Sequence, residues 1–232
     1  MSTGVDGDGP DDLVGDQHIF HAARGHGLGL ELHFHTLEEL GQVALQNLGE
    51  LVQGQVHPVI SAPTADIRTD VPRYRIWHDG VLADEVETIE KYWSGDLVTF
   101  LLGCSFSFEN ALLDNGIDLP HWGTGENVAM FKTSVDTVPA GPFSGPMVVS
   151  MRWIPQDKVV RAVQSTSRFP AVHGAPVNIG DPSALGIADV SKPDFGRAWD
   201  PAPGDVPVFW ACGVTPQAVA MASKPPLMIT HA

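Results

Sequence analysis

"LVTFLLGCSFSFENALLDNGI" occupies residues 97–117, and its reading decides the fold. Leu97 to Leu102 is an unbroken apolar or β-branched run, the length of a buried strand and too short for a core helix. Gly103 closes it. "FENALLDNG" then reads as a helix stopped by Gly116, since glycine enters the left-handed conformation that ends helices. A buried strand that bends at Gly-Cys-Ser straight into a helix is a building unit of α/β proteins.

The same alternation extends outward from this stretch. Upstream, "TLEELGQVALQNLGELVQG" (36–54) predicts a helix, with Thr36 and Glu39 as a capping box and Gly54 as its stop. "EVETIEKYW" (85–93) predicts a second, short one. Downstream, "NVAMFKTSV" and "PMVVSMRWI" read as strands, and Pro155 is placed to open a helix over "PQDKVVRAVQSTS". "PVFWAC" is a strand, "TPQAVAMAS" a helix and "LMIT" a last strand. Strands and helices in turn favour an α/β fold. Both cysteines end an apolar strand and precede a helix, so Gly103-Cys104-Ser105 and Cys212-Gly213 fall on the rim where α/β sheets collect ligands.

The chain has 232 residues, 28 acidic against 13 basic, and a formal charge of −15. That balance argues against a nucleic-acid partner, which needs a basic stripe. An anionic substrate must find local positive charge instead. Arg24 is the only basic side chain before Arg68, after which "DIRTDVPRYR" supplies Arg68, Arg73 and Arg75. No apolar run approaches the length of a membrane span, and the Gly/Asp-rich residues 1–17 read as a disordered acidic tail without the pattern of a secretory signal. Two distant cysteines suit a reducing cytoplasm. His33 and His35 have the spacing of two ligands on one strand face, but with no third ligand nearby they do not define a zinc site. No metal or organic cofactor is expected. Self-association into a homo-oligomer stays open.

"GCSFSFENAL", "NVAMFKTS", "PAGPFSGPMVVSMR", "RFPAVHGAPVNIGDPSALGI" and "PVFWACGVTPQ", with "DIRTDVPRYRIW" upstream, together resemble the D-glutamate cyclase-like family, also catalogued among hydro-lyases of unassigned substrate. The resemblance covers roughly residues 64–232. It implies a three-layer α/β/α-type sandwich (18–105 with 186–232) carrying a smaller inserted α+β region (106–185). It also implies closure of D-glutamate to 5-oxo-D-proline with loss of water, or action on a related small amino or hydroxy acid. The first sixty residues depart from the family, as do the ending "ITHA", Asn178 in place of a histidine and Lys132 in place of an arginine.

Cyclising glutamate requires a deprotonated amine, a neutralised carboxylate, donors for a tetrahedral oxyanion and a curled chain. His173, in a loop stiffened by Pro170, Pro176 and Pro182, is the expected acid or base. Ser105, Ser107 and nearby backbone N–H groups would hold a carboxylate or its oxyanion, unless either serine merely caps the following helix. Glu109 reads as a general base or as the partner of an arginine. Arg168, Arg152, Arg68 and Arg73 are candidate carboxylate clamps, the last two with Asp66 and Asp70 as structural partners. Asp181, just before Pro182, reads first as a helix cap and second as a substrate contact. Cys104 would be a nucleophile only if His173 or His231 folded against it, the arrangement of a Cys–His amide or lactam hydrolase. A catalytically silent binding module for a small carboxylate or lactam is the other alternative.

Overall fold

The computed structural model of the chain describes residues 17–23, 48–60, 62–103 and 105–232. Their strands build two sheets. The first holds β1 (Gln17–Ala23), β2 (Leu48–Gln53), β3 (Tyr74–His78), β4 (Val81–Val86), β5 (Leu97–Gly103) and β10 (Met228–His231), in the order β2-β5-β1-β10-β3-β4. The second holds β6 (Ala129–Asp136), β7 (Pro146–Pro155), β8 (Asn178–Ile179) and β9 (Asp205–Ala211), in the order β6-β7-β9-β8. Every ladder among the described residues is antiparallel. Among the described residues three α-helices accompany them: α1 (Glu109–Asp114), α2 (Val159–Thr166) and α3 (Val214–Ser223). The chain is therefore a mixed α and β protein, compatible with the α/β class. None of its described helices is long and apolar enough to cross a membrane.

β5 is apolar on both sides because both are covered. Val98, Phe100 and Leu102 pack with Trp77, Met228 and Ala220, while Leu101 packs oppositely with Ile76, Tyr74 and Ile229. Alternate residues of a strand face opposite ways, so a two-sided core demands an unbroken apolar run. Tyr74 is fully buried there. Its hydroxyl donates to Ile67 O at 2.6 Å and accepts from Val71 N at 3.2 Å, and burial pushes the phenol up to about 12. In the second sheet, Val208 and Trp210 face α1 and α2 through Phe108, Leu112 and Ala162, and Phe209 faces the other way onto Phe131, Val149 and Leu185. α3 joins the two sheets. It packs along β7, and its Ala220 enters the core of the first sheet.

Three local expectations are corrected. Leu48–Gln53, the end of the expected helix 36–54, is strand β2 paired with β5; the rest of that segment lies outside the described residues. The expected helix over 85–93 is β4 up to Val86 and then a single 3-10 turn, Glu90–Tyr92. Asp79 and Gly80, at φ +49° and +78°, form the two-residue turn that folds β4 back on β3. Pro155 does not open a helix. It is the last residue of β7, paired with Asp205, and α2 starts at Val159 after a 3-10 turn. Of the acidic tail, residues 1–16 lie outside the described residues, as do His33 and His35, while Gln17 already belongs to β1.

Candidate active site

β7 alternates Val148, Ser150, Arg152 and Ile154 on one side, and that side faces α1 and α2 through Ile154. An arginine is thereby carried into the core. Its guanidinium lies 5.2 Å from the ring centre of Phe108 and 5.5 Å from that of Trp210. Arg152 Nε donates to Glu109 Oε1 at 2.8 Å, and Nη2 donates to the same oxygen. Nη2 also donates to Ser105 Oγ at 3.0 Å, and Nη1 to Ser150 Oγ at 3.1 Å. From the other side His121 Nε2 donates to Glu109 Oε1 at 2.8 Å. Exposure is 1% for Ser105 and Glu109, 3% for Arg152 and 6% for His121.

Burial by itself would raise the Glu109 carboxyl. The positive charge of Arg152 and the hydrogen bond from His121 outweigh that and hold it below its ordinary value. Glu109 is thus a fixed carboxylate anion, and of its two expected roles the structure shows the arginine partner. Arg152, its charge matched by Glu109, positions rather than offers a free cation. Beside the cluster His121, Arg152, Trp153 and Trp199 bound a hollow of about 10 Å³, room for one water-sized occupant. His121 was not anticipated. Glu109 and His121 are separated by a helix end and a turn, and "DLPHWG" carries no spacing that ties the two together.

Ser105 and Ser107 lie in the 3-10 turn Ser105–Phe108 that links β5 to α1. Neither caps the helix, whose N-cap is Phe108 without a side-chain hydrogen bond. Ser105 accepts from Arg152 instead, and Ser107 is half-buried. Cys104 lies outside the described residues. His173 is buried and follows the turn Pro170–Val172 in the left-handed conformation, φ +80°. That conformation costs a side-chain-bearing residue on the order of 1–2 kcal/mol. The turn packs against both Ser105–Phe108 and β5, so the proline-stiffened loop meets the chain on either side of residue 104.

The remaining candidates stand apart from this cluster. Arg68 grips Asp66 with Nε at 2.9 Å and Nη2 at 2.6 Å, as its neighbour in sequence suggested. Arg73 is exposed and reaches Glu85 at 3.4 Å rather than Asp70. Asp181 caps the turn Pro182–Leu185, accepting from Ser183 N at 2.9 Å and Ser183 Oγ at 2.7 Å, which keeps its carboxyl below the ordinary value. Arg168 is exposed beside Arg161 over a surface groove.

Residues 98–232 match the family described as "D-glutamate cyclase". A protein of Stutzerimonas stutzeri (strain A1501) named "Putative hydro-lyase" is 62% identical over 179 residues, 77% of this chain and 68% of that protein. One of Bacillus subtilis (strain 168), also named as a "Putative hydro-lyase", is 60% identical over 179 residues, 77% of this chain and 70% of that protein. Among solved structures, a nitrogen repressor-like protein from Methanococcus jannaschii overlaps 91% of this chain and 80% of its own at 9% identity, with a TM-score of 0.41, too loose to relate the folds.

Proposed function

The chain belongs to the D-glutamate cyclase family, and from that premise we propose that it is a lyase closing D-glutamate to 5-oxo-D-proline with loss of water. The observation that carries the reading is the buried Ser105–Arg152–Glu109–His121 cluster, packed where the turn before His173 meets the end of β5.

The reaction balances within the substrate. The amine nitrogen attacks the side-chain carboxylate carbon, a C–N bond forms and one C–O bond breaks. Two protons leave the ammonium and depart with that oxygen as water. The site must therefore carry protons from nitrogen to oxygen and stabilise the tetrahedral oxyanion between the two steps. Ser105 suits the second task. Its oxygen accepts from Arg152, so its own proton is directed to another acceptor, the substrate carboxylate or oxyanion. One such donor is worth about 10²–10³ in rate. For the first task, Glu109 holds His121 by Nε2 and leaves Nδ1 as the nitrogen able to take a proton. His173, which follows the turn packed on Ser105–Phe108, is the second candidate for that relay. Ring closure is intramolecular, so holding the substrate chain curled supplies much of the remaining acceleration.

Purified protein incubated with D- and L-glutamate, with 5-oxoproline resolved by chiral chromatography, tests the reading. Product from the D-enantiomer is expected, with Ser105→Ala slowed by about 10²-fold or more. Folded protein that converts neither enantiomer removes the assignment.

A further inference from the structure

α1 and α2 leave between their outer faces a groove of about 500 Å³, a volume typical of small-ligand sites. Its wall includes Ala111 from α1 and Asn115 at its C-cap, Arg161 and Gln164 from α2, and Arg168 and Phe169 just beyond α2. At 3.6 residues per turn, Ala111 and Asn115 stand about 200° and 240° around α1 from Glu109. The groove therefore lies on the far side of that helix from the buried cluster, and it shares no lining residue with the hollow beside His121.

Its charge runs against that of the molecule. In a chain with 28 acidic and 13 basic side chains, two guanidiniums and no carboxylate line this space. Asp114, which adjoins Asn115, and Asp157, one turn before Arg161, are not part of the wall. Arg161 makes one side-chain hydrogen bond among the described residues, from Nη1 to Asn115 Oδ1 at 3.5 Å. The Arg168 side chain forms no hydrogen bond or ion pair among them. Two arginines kept clear of acids, over a concave polar surface, have the chemistry that binds carboxylate and phosphate oxygens.

We infer that this groove is a second binding site, for a small oxyanion of two or more negative charges, a polycarboxylate or a phosphate compound. Such an anion bridges the arginines of α2 and its C-terminal extension to α1. It thereby steadies the helix that carries Glu109 without touching the cluster itself.

Isothermal titration of the whole chain with citrate, and separately with inorganic pyrophosphate, at fixed ionic strength tests this. At least one is expected to bind with a Kd tighter than about 1 mM, and which one tells the carboxylate source from the phosphate source. Arg161→Gln and Arg168→Gln, both at exposed positions, should each weaken binding by about tenfold. Lys192→Gln removes the same charge from an exposed pair with Asp189 and should leave the affinity unchanged. Failure of both probes to bind overturns the inference. So does wild-type affinity in both arginine variants, or an equal loss in Lys192→Gln. None of these outcomes depends on turnover of glutamate, so the cyclase reading and this one fail separately.

Discussion

Arg152 makes four side-chain hydrogen bonds between two aromatic rings, in a space closed to bulk water. Its worth to the fold lies mainly in what its loss would expose. Arg152→Met leaves the Glu109 carboxylate buried without its counter-charge, and breaking such a pair costs about 3–5 kcal/mol. Urea denaturation should show that loss, with a large part recovered when Glu109→Gln is added. A cost below about 1 kcal/mol would mean that the pair is not buried. The pH dependence has a definite sign. Glu109 titrates below its ordinary 4.5 in the folded chain, so its stabilisation is fully present above that value and is lost as pH falls through the lower folded one. The stability gap between wild type and Glu109→Gln should therefore hold from neutrality down to about pH 4.5 and narrow below it. A gap that widens on acidification would contradict the ion-paired state. Of these residues, Ser105, Glu109 and Arg152 were legible in the sequence as site candidates. His121 was not, because its partner is reached through the tertiary turn after α1 rather than by any helical or strand spacing.

At the scale of elements, apolar runs were informative where both faces of a strand are buried. β5, β6, β7, β9 and β10, with α1 and α3, lie where the apolar pattern places them. β4 failed that test. It is an outer strand of the first sheet with mostly exposed side chains, so its polar residues looked helical. The Asp79-Gly80 pair was the available signal for the hairpin, since both positions need positive φ. Glycine also fixes the long connection between β8 and β9. Gly196 has φ +71°, and a β-carbon there would lie 1.9 Å from Val128 O, beside the bridge of Met130 to Phe195. Gly204, at φ +90°, has open space around it. Gly196→Ala should cost clearly more than the roughly 1–2 kcal/mol of left-handed strain expected for Gly204→Ala. Equal unfolding free energies for the two variants would show that this connection does not pack closely on β6.

Over the whole molecule, the alternation of strands and helices was read as an α/β fold, with which the mixed helices and strands are compatible, while the direction of pairing was hidden. α1 and α3 each carry the chain from one sheet to the other, and α2 leads from β7 to β8 on the far side of β9; sequence periodicity records burial, not the partner of a strand. What the sequence did foretell is the convergence of two distant segments. Ser105–Phe108 and Pro170–Val172 pack together at the end of β5, with Arg152 reaching the first of them from the second sheet. The proposed chemistry needs that meeting point to be where substrate sits. A crystal structure of the protein soaked with 5-oxo-D-proline tests this most directly. The lactam carbonyl should lie within hydrogen-bonding distance of Ser105 Oγ, with His121 or His173 beside the ring nitrogen. Lactam seated only in the groove of Arg161 and Arg168, or elsewhere away from Ser105, would contradict the account.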